Sequence, residues 1–272
     1  MSGQNIIQNT LSVPSPKGAS GNYQYHSRSD HHSKVACWAI VFDLLNSCPT
    51  LLSRVKSGKV FIGINHKIND YMNGKDKNLD LVICIPGSPK QYRDSFQSMV
   101  SKYNIKLNAN ETATLGLFPI LYRREVGTVL VALEAKACMT AHQKSWPRLY
   151  DELNSSHNIV HGANDDSIAA GYVFVNSASS HASTVSPFNV NLHNQPSATI
   201  GTIEAIRKLR RRSGTGQPGY DAIGISVLEL ANDGSPVRIV PPPLGLPSSD
   251  PLSYDQMVQR ISSAYSARFR NI

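Results

Sequence analysis

Val129-Leu130-Val131-Ala132-Leu133-Glu134-Ala135-Lys136 is an apolar run that ends in an acid, a small residue and a base. Val126, Thr128, Val129 and Val131, with Gly127 among them, favour extended backbone, so the run reads as a strand. In a strand, residues two apart share a face, which sends Glu134 and Lys136 into the same space. A second stretch, Leu79-Asp80-Leu81-Val82-Ile83-Cys84-Ile85, is a β-branched run closed by Pro86-Gly87 and headed by an acid. If the two strands pair antiparallel, the start of one meets the end of the other and Asp80 lies beside Glu134. Two carboxylates and an ammonium then converge at one edge of a sheet. The competing reading is one helix over 129–144, since Ala, Leu, Glu and Lys all favour helix, with Glu134 and Lys136 as ordinary surface charges.

The grouping suits phosphodiester hydrolysis. Two carboxylates can hold a hard cation such as Mg²⁺, which needs only one or two of them beside water and phosphate. Such a cation acidifies water and offsets phosphate charge. Lys136 can orient or deprotonate that water and stabilise the charge that builds on phosphorus.

Around these strands, helical spacing of Trp38, Val41, Phe42 and Leu45 predicts a helix over 33–45, and a second short one follows over 49–55. Residues 58–64 read as a strand. Ser88-Pro89 has the form of an N-cap with proline at the first helical turn, predicting a helix over 89–103. Residues 115–122 are a further strand candidate. A helix is expected from 140 or 147 to 154, then a strand over 169–175. Beyond a Ser/His/Asn-rich loop at 176–197 come a helix over 199–212, with Ile200, Ile203, Ile206 and Leu209 as its apolar row, and strands over 222–230 and 237–240 flanking Asn232-Asp233-Gly234. A last helix spans 253–268. Mixed strands and helices in this order predict an α/β fold, a mixed sheet flanked by helices. Residues 1–30, rich in Ser, Asn, Gly and Pro, read as a flexible arm, leaving 31–272 as a single domain.

An Asp opening one strand and a Glu-x-Lys ending the next resemble the PD-(D/E)XK nuclease superfamily, which includes restriction endonucleases and phage-defence nucleases. The resemblance covers about 58–176 and implies an αβββαβ core, with 199–272 as a C-terminal extension. It implies Asp80 and Glu134 as metal ligands, the Ala135 backbone carbonyl as another, Lys136 as the catalytic lysine, and Mg²⁺ (or Mn²⁺) as the cofactor. Leu79 stands where the family name has Pro, and Asp43 is the candidate for the acid that some members carry on the preceding helix. The expected activity is a metal-dependent endonuclease cutting DNA in a restriction or anti-phage setting. The alternatives are an RNA-directed nuclease of the same fold, or a non-catalytic basic nucleic-acid-binding subunit of a larger assembly.

Charge agrees with a polyanionic partner: 27 Lys and Arg against 19 Asp and Glu give a net +8 over 272 residues. Lys144 and Arg148 follow the Glu-x-Lys strand and read as phosphate contacts. The run Arg207-Lys208-Leu209-Arg210-Arg211-Arg212 reads as a basic helix end for nucleic acid, with Leu209 on the buried side. For each of these the plain alternative is a solvated face. A homodimer, or a subunit of a defence complex, is expected if both strands of a palindrome are cut. Cys37, Cys48, Cys84 and Cys138 are far apart, without a CxxC pair, and sit among apolar residues, which predicts reduced buried thiols and a cytoplasmic protein. The start of the chain has no signal-peptide pattern, and the longest apolar stretch, 35–45, is about half a membrane span, so no membrane partner is expected. His157 and His161, four apart, read as surface histidines because nothing completes a zinc set. Gly214-Thr215-Gly216 lacks the Lys of a phosphate loop, and no nucleophile elbow or dinucleotide fingerprint is present.

Overall fold

The computed structural model describes residues 1–15, 23–70, 75–184 and 189–272. Eight helices and eight strands occur among them: α1 Gly3–Leu11, α2 His31–Ser47, α3 Pro49–Lys56, β1 Phe61–Asp70, β2 Lys75–Ser95, α4 Ser98–Lys102, α5 Ala109–Gly116, β3 Tyr122–Cys138, α6 His142–Ala163, β4 Ile168–Asn176, β5 Ser180–Ala182, β6 Val190–Leu192, α7 Ser197–Arg207, β7 Ala222–Glu229, β8 Arg238–Ile239 and α8 Tyr254–Arg268. The expected mixed sheet flanked by helices is what forms. Six strands pair in the order β1-β2-β3-β4-β7-β8, and β5 and β6 make a separate two-stranded ribbon. β1, β2 and β3 run antiparallel as a meander. β4 then lies parallel to β3, and β7 parallel to β4.

Strand alternation divides the interior into two layers. Leu81, Ile83, Val131, Leu133 and Ala135 point into a core with α1, α2 and α8. Their neighbours Val82, Cys84 and Ala132 point to the other face, where Leu149, Leu153 and Val160 of α6 and Ile203 and Ile206 of α7 cover them. β4 is buried along its whole length, as a parallel strand with helices on both faces must be. α2 carries no polar stripe because it is enclosed on nearly every side, with Val35 to Phe42 all at 0% exposure. Among the described residues no single helix is long and apolar enough to cross a membrane.

Three expectations about elements fail here. The stretch read as an arm begins with α1, whose Ile6, Ile7 and Leu11 are buried against α2, while residues 16–22 of that stretch lie outside the described residues. The polar composition hid an apolar face of three side chains. The chain from 89 to 95 continues β2, and the helix shrinks to α4. Cross-strand contacts outweigh the local Ser-Pro signal: Ser88 Oγ donates to Glu125 at 2.7 Å, Lys90 reaches the same carboxylate at 3.3 Å, and Arg123 lies over the Tyr92 ring. The two prolines are tolerated because the register shifts around them. Finally, 115–122 is largely the end of α5 and its exit. Asn108 and Glu111 cap that helix reciprocally, the side chain of each accepting the other's backbone N–H at 2.9 and 2.8 Å.

Candidate active site

The register of β2 and β3 pairs Leu81 with Leu133 and Val82 with Ala132, so one step on, Asp80 faces Glu134. Both belong to interior strands of the sheet, so the site is not at a lateral edge; it lies where the β2–β3 pairing ends. Asp80 Oδ2 accepts the Ala135 N–H at 2.8 Å, which fixes its carboxylate beside the β3 backbone. Glu134 is 7% exposed. Its Oε1 lies 2.7 Å from Lys136 Nζ, and its Oε2 is buried without any hydrogen-bond partner. The Ala135 side chain is in the core on the α2 side.

Electrostatics mark the pair. Burial, with the Glu134 charge next, pushes the Asp80 carboxyl up to about 6, against the opposing pull of the Ala135 N–H, Lys136 and the Ser33 hydroxyl. Burial alone would draw the Lys136 ammonium down, but Glu134 and Glu152 overcome it and hold it above its ordinary value. The Cys37 thiol is raised first by burial and then by Asp80 and Glu134. Burial takes His32 down to about 4, and the Lys136 charge adds to that shift. Tyr220 is raised by burial and by Glu134. The pair thus lies between the start of α2 on one side and α6 with Tyr220 on the other.

Glu152 was not singled out in the sequence. It lies on α6, sixteen residues beyond Lys136, and its Oε2 is 3.1 Å from Lys136 Nζ. Arg148 Nε donates to Glu152 Oε1 at 2.6 Å. Burial opposes ionisation of Glu152, yet Arg148 and Lys136 bring its carboxyl below the usual range. The two acids and the lysine are legible from strand parity. Glu152 depends on how α6 lies across the sheet, and its only sequence signal is its four-residue spacing from Arg148.

Do these residues fit a divalent cation? Among the described residues no three or more His, Cys, Asp or Glu gather as metal ligands. Asp80 and Glu134 do supply two hard oxygen donors. One has a buried, unpartnered oxygen, and the other is held back from ionising by burial and then by its neighbour's charge. Both conditions are relieved by a cation between them, and two carboxylates are enough for Mg²⁺. The fit is good.

The residues expected to touch nucleic acid divide into two groups. Lys144, Arg148, Lys208, Arg210 and Arg211 are exposed. Lys144 lines a cleft of about 390 Å³ with Thr140, Gln143, Asn191 and His193. Arg148 is 83% exposed even while it pairs with Glu152. Arg207 is tied to Asp250 at 3.0 Å and to Glu204 at 3.4 Å. Arg212 leaves the set altogether. Its side chain is fully buried and donates to Asp221 at 2.9 Å, to Asp165 at 3.2 Å and to the Ser167 carbonyl at 2.7 Å. The helix ends at Arg207, so the remainder of the basic run turns inward at Arg212. Asp221, held well below the usual carboxylate range against its burial by His161, Arg212 and Arg268, is the centre of that network.

His157 and His161 are likewise not surface residues. His157 is 4% exposed, and His161 Nε2 lies 3.5 Å from Asp221. Asp43 accepts the backbone N–H groups of Ser2 and Gly3 and the Tyr254 hydroxyl, capping α1 and not facing the site. Comparison of the chain with protein-family models, with curated proteins and with solved structures found no match in any of the three.

Proposed function

We propose that this chain is a Mg²⁺-dependent nuclease that hydrolyses DNA phosphodiester bonds in the manner of the PD-(D/E)XK superfamily. The observation that carries the reading is the juxtaposition of Asp80, Glu134 and Lys136, with one Glu134 oxygen on Lys136 and the other buried without a partner. The order α2-α3-β1-β2-α4-α5-β3-α6-β4, an antiparallel meander followed by a parallel strand, is compatible with the αβββαβ core that the resemblance implies, with α3, α4 and α5 as additions to it.

Asp80 and Glu134 would hold the metal, with the Ala135 carbonyl as a third oxygen. When bound, Mg²⁺ supplies Lewis acidity, acidifying water and offsetting phosphate charge. Asp80 is positioned by the Ala135 N–H. Glu134 keeps one oxygen on Lys136, and the unpartnered one would be free to help hold the metal. An ammonium has three N–H donors, and Lys136 commits two of them to Glu134 and Glu152. The third is left to orient the attacking water and to meet charge on the phosphate. Exposed Lys144, Arg148, Lys208, Arg210 and Arg211 serve the backbone of the duplex. A restriction or anti-phage role, with a homodimer or a defence complex as the working unit, belongs to the same proposal.

Nicking of supercoiled plasmid tests it. Activity is expected with Mg²⁺ and with Mn²⁺, not with EDTA, and Ca²⁺ should allow binding without cutting. Glu134→Ala and Lys136→Ala should each abolish nicking while the variants remain folded and keep duplex binding close to that of the parent. Undiminished nicking by either variant removes the site assignment. Cleavage of RNA with DNA spared would move the substrate to RNA, and binding without any cleavage would favour a basic nucleic-acid-binding subunit.

A further inference from the structure

Resting on that reading, we propose that Glu152 is the positioning residue of the site, holding Lys136 in place when Glu134 turns to the cation. Glu134 cannot serve a lysine and a divalent cation equally, because a cation close to its carboxylate repels the ammonium beside it. With Glu134 as its only anchor, Lys136 would rest on the same carboxylate that the cation needs. Glu152 is the second anchor, 3.1 Å from Nζ on the side opposite the sheet.

The anchor is itself fixed. Leu149 and Leu153, on either side of Glu152, are buried on the sheet at 8% and 0% exposure. The Leu153 carbonyl accepts the Tyr220 hydroxyl at 2.6 Å, and the Glu152 carbonyl accepts the hydroxyls of Ser155 and Ser156. Arg148 takes the other carboxylate oxygen at 2.6 Å, which leaves Oε2 turned to Lys136. The result is a row, Arg148–Glu152–Lys136–Glu134, in which each charge meets its opposite and ends at the unpartnered Glu134 oxygen. Removing Glu152 leaves Lys136 wholly on Glu134, in competition with the metal.

Mn²⁺ titration followed by electron paramagnetic resonance tests this without reference to turnover. Glu152→Gln, in the otherwise natural chain, should weaken Mn²⁺ binding by roughly 10–100-fold, the usual cost of a lost outer partner. In a Lys136→Met background the same change should alter it by no more than about twofold, because Glu152 then has no lysine to hold. Glu152→Asp, shorter by one methylene, should give an intermediate loss. At saturating Mg²⁺, Glu152→Gln should lower kcat and leave KM and Ca²⁺-supported duplex binding unchanged. Glu152 is partly exposed, so the variants should keep the parent's unfolding midpoint, which is measured alongside. An equal loss in both backgrounds would make Glu152 a metal ligand and overturn the proposal, as would no loss in either. A natural chain that binds no Mn²⁺, or binds it as well after Asp80→Asn, would instead overturn the nuclease reading beneath it.

Discussion

Asp80 is held in the fold in a way that a surface aspartate would not be. Its carboxyl is raised to about 6, with burial as the main cause and Glu134 the next. Below about pH 4 it is protonated in both the folded and the unfolded chain, and its burial costs nothing. As pH rises through 6 the folded chain must ionise it among low-dielectric surroundings beside another acid, and stability is lost. Asp80→Asn keeps an oxygen to accept the Ala135 N–H and removes that charge. The variant should therefore be more stable than the parent at pH 8 by on the order of 1–3 kcal/mol, with the difference fading toward pH 4.5, while nicking is lost. Urea unfolding at the two pH values checks it, and a variant less stable at pH 8 would contradict the electrostatic account. At this scale the sequence told most of the site. Parity along one strand joins Glu134 to Lys136, and an antiparallel partner brings in Asp80. Arg212 departs from expectation because a run of like charges shows nothing about which member turns inward to meet Asp221.

At the scale of elements, β1, β3, β4, β7 and α8 were legible because each is a long run with one period. The errors fall where a short local signal met a stronger distant one. Ser88-Pro89 resembles a helix start, yet Glu125 and Arg123 on β3 draw that segment into the sheet. The capping pair Asn108 and Glu111 marks the start of α5, but the apolar residues after it give a competing strand signal. α1 was lost to its composition. Its Gly3 is required, since a Cβ there would run into the Tyr254 hydroxyl and the Asp43 carboxylate. If α1 is part of the core, Ile7→Ala should destabilise the fold by about 2–4 kcal/mol, the usual cost of emptying a fully buried aliphatic site. A flexible arm would show no change in the denaturant midpoint, and that outcome would detach α1 from the core.

For the molecule as a whole, the net charge of +8 is distributed unevenly in purpose. Part of it is internal: Arg212 and Arg268 meet Asp221, and Arg207 meets Asp250. The remainder, with Lys144, Lys208, Arg210 and Arg211 among it, is available to a polyanion. Arg210→Ala with Arg211→Ala should thus weaken duplex binding for every sequence alike. It should also lower the slope of log affinity against log salt by up to about 1.8, at 0.9 per phosphate contact. The unfolding midpoint should not move. Arg212→Ala should do the reverse, costing about 3–5 kcal/mol by taking from buried Asp221 one of its two arginine partners. If binding and salt slope are unchanged in the double variant, that run is a solvated face.

The four cysteines are all free and buried, and the sheet separates Cys37 and Cys48 from Cys84. Cys37 and Cys48 belong to the layer of α2, and Cys84 to the layer under α6. No thiol can meet a reagent from solution unless the layer over it opens, so the rate of thiol capture is a clock for opening and not a measure of surface. Because the layers carry different thiols, identifying which cysteine is captured first would tell which side of the sheet loosens. Cys37 is the most telling of them. It feels the charges of Asp80 and Glu134 through the strands, and its clock keeps time for the ground on which the site stands.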